Sequence, residues 1–236
     1  MPVRTMLASE IGRMHFHPSD MSWSYRKRGS VQRKKIWMNV TKIVLPKKVS
    51  TWMAQHYGPQ ITAAAAKIGV DANLIYAIAC QETASLWLKW MDTMTPDQVL
   101  ARCVFDSSGD IPDGGREAFP KNTEEFRSRF GDTLTQQLID EANATRALRG
   151  FPPAQVVYKG YGIFQYDLQN IVTDSDFFAN RGWANFQACL DRLIQILTVK
   201  LSRAQGNIAE AVKAYNGAGP AADRYAAAVL QMREWA

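Results

Sequence analysis

The stretch AIACQETASLW, residues 77–87, places a glutamate inside an apolar helical pattern. Leu74, Ile78 and Glu82 are spaced four residues apart, so a helix would align them on one face. Such a face is expected to turn towards the core of a globular protein. The pattern therefore predicts a helix over Leu74–Leu88 that carries a carboxyl group in a mainly apolar setting.

That setting has a chemical consequence for Glu82. Loss of hydration disfavours a carboxylate, so burial should raise the pKa of this side chain. The negative end of the helix dipole acts in the same direction, because Glu82 lies late in the predicted helix. A glutamate that stays protonated near neutral pH can donate a proton to a glycosidic oxygen. The simpler alternative is a solvated or ion-paired Glu82 where the apolar stripe reaches the surface.

Helical patterns account for most of the chain after Pro46. The first pattern is interrupted near Gly58-Pro59 and ends at Gly69. Asp71 is expected to be the N-cap of the next helix, and Pro96 opens a short one. Further helical patterns cover residues 123–149, divided near Gly131, and then 183–204, 207–215 and 221–235.

The segment VVYKGYGIFQYD, residues 156–167, is different. It is rich in β-forming residues and punctuated by glycine, so a short hairpin is predicted there. The chain is long enough to form one large domain with a substantial core. The fold class is therefore predicted to be mainly α with a small β element.

Positive charge is concentrated at the start of the chain. Residues 1–50 contain 11 Lys and Arg residues against two acidic residues, whereas residues 51–236 contain 17 against 20. A basic N-terminal arm is predicted over residues 1–45, followed by a globular domain over 46–236. The arm is either simply solvated or attracts anionic polymers such as nucleic acid, membrane surfaces and cell-wall polymers. No nucleic-acid-binding motif accompanies the charge, so a specific nucleic-acid partner is not expected.

Cysteine and histidine do not follow the spacing of a metal site or of a disulfide framework. Cys80, Cys103 and Cys189 are widely separated, and none forms a C-x-x-C pair. The apolar patterns around Cys80 and Cys189 predict buried free thiols, with one disulfide among the three still open. The histidines show no metal-ligand spacing, so neither a metal nor another cofactor is expected.

Two further segments bear on the role of the glutamate. In GYGIFQYD, Gly160 and Gly162 would let the backbone approach a ligand, and Gln165 can both donate and accept hydrogen bonds. The aromatic side chains that could cover sugar rings are Tyr161, Phe164 and Tyr166. AVKAYNGAGP ends a predicted helix at Tyr215-Asn216-Gly217, although Asn-Gly is also an ordinary helix stop.

Together, the three segments resemble the goose-type lysozyme and soluble lytic transglycosylase superfamily. In that family a helix ends in a catalytic glutamate within QES or QET, a GLFQ-like β segment follows, and AYN stands near the end of the domain. This chain has Gln81-Glu82-Thr83, Gly162-Ile163-Phe164-Gln165 and Ala214-Tyr215-Asn216 in the same order, within roughly residues 60–220. Each motif alone would be weak. The resemblance implies a lysozyme-like fold, with the helical domain and its small β element beside a glycan-binding cleft.

The resemblance also implies an activity, namely cleavage of the β-1,4 bond between N-acetylmuramic acid and N-acetylglucosamine in bacterial peptidoglycan. Glu82 would be the general acid and base of that reaction. Gln165 and the adjacent backbone would line the cleft, Tyr215 would hydrogen-bond near the glutamate, and Asn216 would contact the substrate or brace its loop. The long insertion over residues 92–160 departs from the family pattern and leaves the sugar subsites undefined.

A second carboxylate would decide the reaction outcome. A hydrolysing lysozyme needs another acid to position water or to stabilise the oxocarbenium-like state. Asp106, Asp110 and Asp113 lie in the polar loop 105–122, and Asp167 follows the β segment. Asp106 and Asp167 are the better candidates because each adjoins an apolar or motif segment, although such acids more often form turns.

A lytic transglycosylase can act with one glutamate. The acid protonates the leaving oxygen and then takes a proton from the muramic acid 6-hydroxyl, which closes a 1,6-anhydro ring. The positions three and four residues after Glu82 are Ser85 and Leu86, so no acid shares its helix face at short spacing. This outcome is therefore favoured over hydrolysis.

Other functions fit the same residues. A hydrolytic muramidase, a chitin-cleaving relative and a non-catalytic glycan-binding module with an inactive Glu82 would all keep the same fold. A nucleic-acid-binding protein would depend on residues 1–45 and lose affinity steeply with salt.

The implied substrate lies outside the bacterial cytoplasm, yet the first 20 residues contain no recognisable Sec-type signal peptide. No stretch approaches the roughly 20 uninterrupted apolar residues of a membrane span. Action on the cell wall, in the periplasm or outside the cell, is therefore expected by a non-Sec route such as phage lysis or a secretion apparatus. The expected partners are peptidoglycan glycan strands, a delivery or immunity protein, and an anionic polymer at the basic arm.

Overall fold

The computed structural model describes residues 15–17, 22–24, 31–112 and 114–236, with side chains from residue 44 onward. The chain divides into two compact units, Met1–Thr41 and Lys42–Ala236. The first contains the antiparallel strands β1 (His15–His17) and β2 (Ser22–Ser24). The side chains of the predicted basic arm up to residue 43, and all of Asp113, lie outside the described residues. The boundary predicted between residues 45 and 46 stays a prediction.

Most of the described residues are helical. The α-helices are α1 (Val31–Lys67), α2 (Ala72–Ala79), α3 (Ser85–Trp87), α4 (Pro96–Ala101), α5 (Thr123–Leu148), α6 (Ser175–Ala179), α7 (Phe186–Arg203), α8 (Ile208–Asn216) and α9 (Gly219–Trp235). A π-helical turn joins α2 to α3, and short 3₁₀ turns cover Leu168–Val172 and Gly182–Ala184.

Several local signals in the sequence are confirmed. Oδ1 of Asp71 accepts a hydrogen bond of 2.9 Å from the Leu74 amide and so caps α2. Pro96 is the first residue of α4. Gly131 divides α5 at a kink, where its φ of 78° is a conformation that glycine adopts without strain.

Helix α1 continues through Pro46 and Pro59, so the predicted interruption near Gly58-Pro59 is wrong. A proline removes one backbone hydrogen bond and bends a helix, but packing on both sides of it can preserve the helix. Met53 before Pro59 and Ile61 after it are both fully buried. Tertiary packing therefore outweighs the local signal.

A three-stranded antiparallel sheet has the order β3 (Val104–Phe105), β4 (Gly160–Tyr161), β5 (Tyr166–Asp167). The hairpin of β4 and β5 is the one predicted from residues 156–167. The sequence does not predict β3, because two residues are too few to show an alternating pattern. In the sheet, Tyr161 lies opposite Val104 on one side and Tyr166 on the other.

The mainly helical fold with a small antiparallel sheet is confirmed. Its core is formed by apolar side chains from α1, α2, the sheet and α5 to α9. No single helix among the described residues is both long and apolar enough to cross a membrane, although a bent pair, 44–67 with 72–87, meets the criteria of length and composition.

Candidate active site

Glu82 lies in the π-helical turn Cys80–Ala84. A π turn contains more residues than an α-helical turn and is frequent at functional sites. It displaces the residues that follow Ala79 around the helix axis, so Glu82 does not simply extend the line of Leu74 and Ile78. Its side chain is half-buried and keeps some contact with solvent.

Tyr225, on α9, donates a 2.5 Å hydrogen bond from its hydroxyl to Oε1 of Glu82. Burial raises the pKa of Glu82 to about 7, and the hydrogen bond from Tyr225 acts in the opposite direction because it stabilises the carboxylate. The pKa of Tyr225 itself is raised well above its usual value, first by burial and then by the charge of Glu82. Near neutral pH, Glu82 is therefore present both as an acid and as a carboxylate.

Thr83 fixes the glutamate turn to the β hairpin. Its buried Oγ1 donates a 2.8 Å hydrogen bond to the Ile163 carbonyl, in the loop between β4 and β5. The same oxygen accepts a 2.9 Å hydrogen bond from Nε1 of Trp87. The QET and GIFQ segments, which are 80 residues apart in sequence, are thus in direct contact.

Gln165 folds back over its own hairpin. Its backbone has a φ of 52°, and its Nε2 donates a 2.9 Å hydrogen bond to the Gly162 carbonyl. A Cβ atom added at Gly160 would lie 2.1 Å from Oε1 of Gln165. The absence of a side chain at Gly160 thus leaves room for the Gln165 amide, and an approach of this backbone to a ligand stays a prediction.

Gly162 also has a packing role. Its φ is 80°, and an added Cβ atom would lie 2.6 Å from Sγ of Cys189 on α7. The close approach that this glycine permits is between the hairpin and α7. An approach of the Gly162 backbone to a ligand stays a prediction.

The aromatic residues of the hairpin belong mainly to the core. Tyr161 has no exposed surface and packs against Phe178 and Trp183, with ring centroids 5.3 and 4.9 Å away. Phe164 is also buried, and half-buried Tyr166 stacks on Phe178. The prediction that Tyr161 and Phe164 present faces to sugar rings is therefore wrong, because both rings fill the core.

Tyr215 is close to the glutamate but does not hydrogen-bond to it. Its hydroxyl donates a 2.7 Å hydrogen bond to the Phe164 carbonyl. Its ring stacks against Tyr225, with the centroids 6.2 Å apart. Tyr215 thus supports the residue that contacts Glu82, and the hydrogen bond to the glutamate itself comes from Tyr225.

Asn216 is exposed at the end of α8. Gly217 follows with a φ of 127°, in keeping with the ordinary Asn-Gly helix stop. A substrate contact by Asn216 stays a prediction.

Both favoured candidates for a second carboxylate lie near the same arginine. Arg116, in the loop 105–122, donates a 2.6 Å hydrogen bond to Oδ1 of Asp167 and lies 3.9 Å from Oδ2 of Asp106. Asp106 also accepts hydrogen bonds from Ser108, and Asp167 caps the following 3₁₀ turn. These contacts give the two acids structural partners in the loop and hairpin.

No acidic side chain of the described residues contributes to the raised pKa of Glu82, for which burial is the main cause. Asp110 is engaged elsewhere, in an ion pair with Lys159 and in a 2.8 Å hydrogen bond from the Thr123 amide. The composition of the polar loop suggests a solvated segment. The loop is instead anchored by buried polar contacts.

Cys80 and Cys189 are buried free thiols, as predicted, and Cys103 is a third. In the part of the chain that the structure describes, no three His, Cys, Asp or Glu side chains are grouped so as to hold a metal ion.

A groove of about 340 Å³ lies beside α1 and the turn after α3. Its lining consists of Val44, Lys47, Lys48, Thr51, Trp52, Gln55, Met91 and Asp92. Glu82 does not line it, so this groove is distinct from the surroundings of the glutamate.

Sequence reasoning missed Tyr225. The signal was present, because Ala222, Tyr225, Ala226 and Val229 follow helical spacing and all four are buried. A tyrosine on an otherwise small and apolar face needs a partner for its hydroxyl. Glu82 is that partner.

Glu82 is thus a half-buried acid held by three elements. These are its own π turn, α9 through Tyr225, and the β hairpin through the Thr83–Ile163 contact. Comparisons of the chain with protein-family models, with curated proteins and with solved structures give no significant match.

Proposed function

We propose that this protein cleaves the β-1,4 bond between N-acetylmuramic acid and N-acetylglucosamine in peptidoglycan, on a lysozyme-like fold. The outcome that we favour is that of a lytic transglycosylase with Glu82 as its single catalytic acid and base. The observation that carries the proposal is the setting of Glu82: a half-buried carboxyl group with a pKa of about 7, bonded to Tyr225.

Two further observations support it. The order QET, GIFQ, AYN resembles that of the lytic transglycosylase superfamily, and the first two of these segments are joined through Thr83 and Ile163. Tyr215 from the third segment bonds to the Phe164 carbonyl in the second. The three motifs therefore lie next to one another in the fold. Three unrelated matches of sequence would have no reason to be in contact.

The chemistry follows from the two protonation states of Glu82. The acid form gives its proton to the glycosidic oxygen as the bond from C1 to that oxygen breaks. The resulting carboxylate then takes the proton of the muramic acid 6-hydroxyl, whose oxygen attacks C1 and closes the 1,6-anhydro ring. Glu82 ends the cycle protonated, so no water is consumed and no second acid is needed.

The products test this outcome directly. Purified peptidoglycan is digested, and the released muropeptides are separated and weighed by mass spectrometry. We expect anhydro-ended fragments, which are one water lighter than fragments with reducing ends. The Glu82→Gln variant, digested in parallel, is the control for other cleaving activity in the sample.

Other results would change the assignment. Reducing ends alone would indicate a hydrolytic muramidase, and replacing Asp106 and Asp167 by Asn in turn would identify its second carboxylate. Binding to peptidoglycan without release of fragments would indicate a glycan-binding module.

The pH dependence of cleavage offers a second test. Because the acid form starts the reaction, activity should fall as the pH rises through about 7. Tyr225→Phe removes the hydrogen bond that stabilises the carboxylate, so the pKa of Glu82 should rise and the alkaline limb should move to higher pH. The measurement is turbidity clearing of cell walls across a pH series. An unchanged alkaline limb in a folded Tyr225→Phe variant would argue against Glu82 as the titrating acid.

The proposal extends to where the protein acts. Cleavage of peptidoglycan requires access to the periplasm or the cell surface, and a non-Sec route such as phage lysis or a secretion apparatus would provide it. A delivery or immunity protein is the corresponding partner, and the basic charge of residues 1–45 would favour an anionic polymer.

A further inference from the structure

Arg149 differs from the other partly buried arginines of the described residues. Five of these form ion pairs with carboxylates: Arg102, Arg116, Arg127, Arg192 and Arg233. A sixth, Arg146, bonds to the Pro152 carbonyl and the Tyr158 hydroxyl. Arg149 is half-buried at the C-cap of α5, and in the described chain its side chain has neither a hydrogen-bond acceptor nor a carboxylate partner.

Aromatic rings hold this guanidinium in place. Its central carbon lies 5.8 Å from the ring centroid of Phe105 and 5.0 Å from that of Phe151. Contact with the face of a ring attracts the cation, but it leaves the N–H groups at the edge of the guanidinium without acceptors. The dipole of α5 favours a positive charge at this end, yet no α5 carbonyl accepts a hydrogen bond from the Arg149 side chain.

Burial and neighbouring groups both act on the charge of Arg149. Burial lowers the pKa of Arg149, the nearby Tyr158 opposes that shift, and the charge of Arg146 adds to it. On the other side of Phe105, Trp90 stacks on this ring, and Lys89 lies over Trp90. An anion bound at the edge of Arg149 would supply the charged acceptor that its N–H groups lack among the described residues.

The residues around Arg149 are connected to the glutamate along the chain and through the sheet. Phe105 ends β3, which pairs with β4, and the loop after β4 is bonded to Thr83, the neighbour of Glu82. Trp90, in the turn that follows α3, stacks on Phe105. The sheet that begins with β3 therefore adjoins both Arg149 and the turn that carries Glu82.

We propose that Arg149 binds a carboxylate of the peptide stem carried by the glycan strand, a proposal that rests on the proposed cleavage of peptidoglycan. The planar guanidinium edge matches a carboxylate, which can accept two parallel N–H bonds. Phe151, with 48% of its surface exposed and its ring in contact with both Arg146 and Arg149, adds apolar area beside the guanidinium for the aliphatic part of the stem. A polyphosphate chain would need several free cations to bind it. The neighbouring Arg146 already donates hydrogen bonds to protein oxygens, so a single carboxylate fits Arg149 better.

Calorimetric titration with a synthetic stem tripeptide tests this directly. The peptide contains no glycosidic bond, so its binding does not depend on whether the protein cleaves glycan. Arg149→Gln should weaken binding about tenfold or more, since a hydrogen-bonded charge pair is lost. Arg149→Lys keeps the charge but loses the planar edge, so its affinity should be intermediate. Arg203→Gln, at an exposed position on α7, is the matched control and should bind as the wild type does.

Two further ligands identify the chemistry that is recognised. The same tripeptide with its carboxylates converted to amides should lose about as much affinity as Arg149→Gln causes. Equal binding of the acidic and amidated peptides, or equal binding by the wild type and both Arg149 variants, would overturn the proposal. Inorganic phosphate that binds more tightly than the tripeptide would overturn the stem assignment and indicate a phosphate site.

Discussion

Replacing Glu82 by Gln is expected to abolish cell-wall lysis. The substitution keeps the size of the side chain and an oxygen that can accept the Tyr225 hydrogen bond, but it removes the transferable proton. Loss of general acid catalysis typically costs between about 100-fold and 10,000-fold in rate. Release of soluble muropeptides from purified walls measures the effect. Wall clearing at the wild-type rate by a folded Glu82→Gln protein would rule out the proposed mechanism.

The same substitution should stabilise the fold at alkaline pH, which separates loss of chemistry from loss of structure. The pKa of Glu82 is about 7 in the folded protein, against 4.5 for an unperturbed glutamate. The folded state therefore holds the proton more tightly than the unfolded state, and its stability falls as the pH rises from about 4.5 through about 7. The glutamine side chain of the Glu82→Gln variant cannot ionise and avoids this loss, which amounts to at most about 3 kcal/mol.

Urea denaturation at two pH values checks this expectation. At about pH 9 the Glu82→Gln variant should have the higher free energy of unfolding, and at about pH 4 the difference should largely disappear. A variant that is less stable than the wild type at both values would mean that its inactivity comes from a damaged fold.

Replacing Asp110 by Ala should have the largest effect on stability. Lys159 has no exposed surface, and Asp110 is its carboxylate partner. Burial lowers the pKa of Lys159, and the bond to Asp110 opposes that effect. Removing one partner of a buried ion pair typically lowers the free energy of unfolding by about 3–5 kcal/mol. Urea denaturation near neutral pH measures the loss.

A matched pair of variants locates the cause. Asp110→Asn keeps an oxygen for the Thr123 amide but loses the charge, so it should still be strongly destabilised. Adding Lys159→Met to Asp110→Asn removes the buried cation as well, and most of the lost stability should return. If Asp110→Ala proves as stable as the wild type, the loop 105–122 is not anchored by this pair.

The parts of the site that sequence predicts are those encoded by local spacing. Leu74, Ile78 and Glu82 share a helical period, and Asp71 and Pro96 are helix-start signals, so the helices around the glutamate could be inferred. The π turn could not, because it inserts an extra residue without a characteristic composition. Its presence changes the direction in which Glu82 points without changing the helical pattern.

Contacts between distant segments could not be predicted from local sequence patterns. Tyr225 reaches Glu82 across 143 residues, and no periodicity relates the two positions. Arg116 approaches Asp106 and Asp167 from a loop whose composition indicates only a turn-rich segment.

The aromatic residues beside glycines in the β hairpin fit two different structural roles. The pattern of Tyr161 and Gly162 is typical of a ligand-binding loop, but it also suits a hairpin that packs closely on a helix. The neighbours decide between them: Phe178, Trp183 and Cys189 fill the space on which a sugar would have to stack. Those neighbours come from α6 to α7, and the hairpin sequence does not specify them.

The bond between Glu82 and Tyr225 has a consequence during protein synthesis. Tyr225 lies on α9, which is fastened to the start of α2 by the Arg233–Asp71 ion pair. The ribosome makes the acid long before it makes the helix that covers and orients it. A nascent or truncated chain that stops short of α9 therefore exposes Glu82 to water, where the carboxyl group would lose its proton well below neutral pH. Under the proposed function, Glu82 would reach its raised pKa only after α9 has docked, so the last helix to be synthesised would complete the active site.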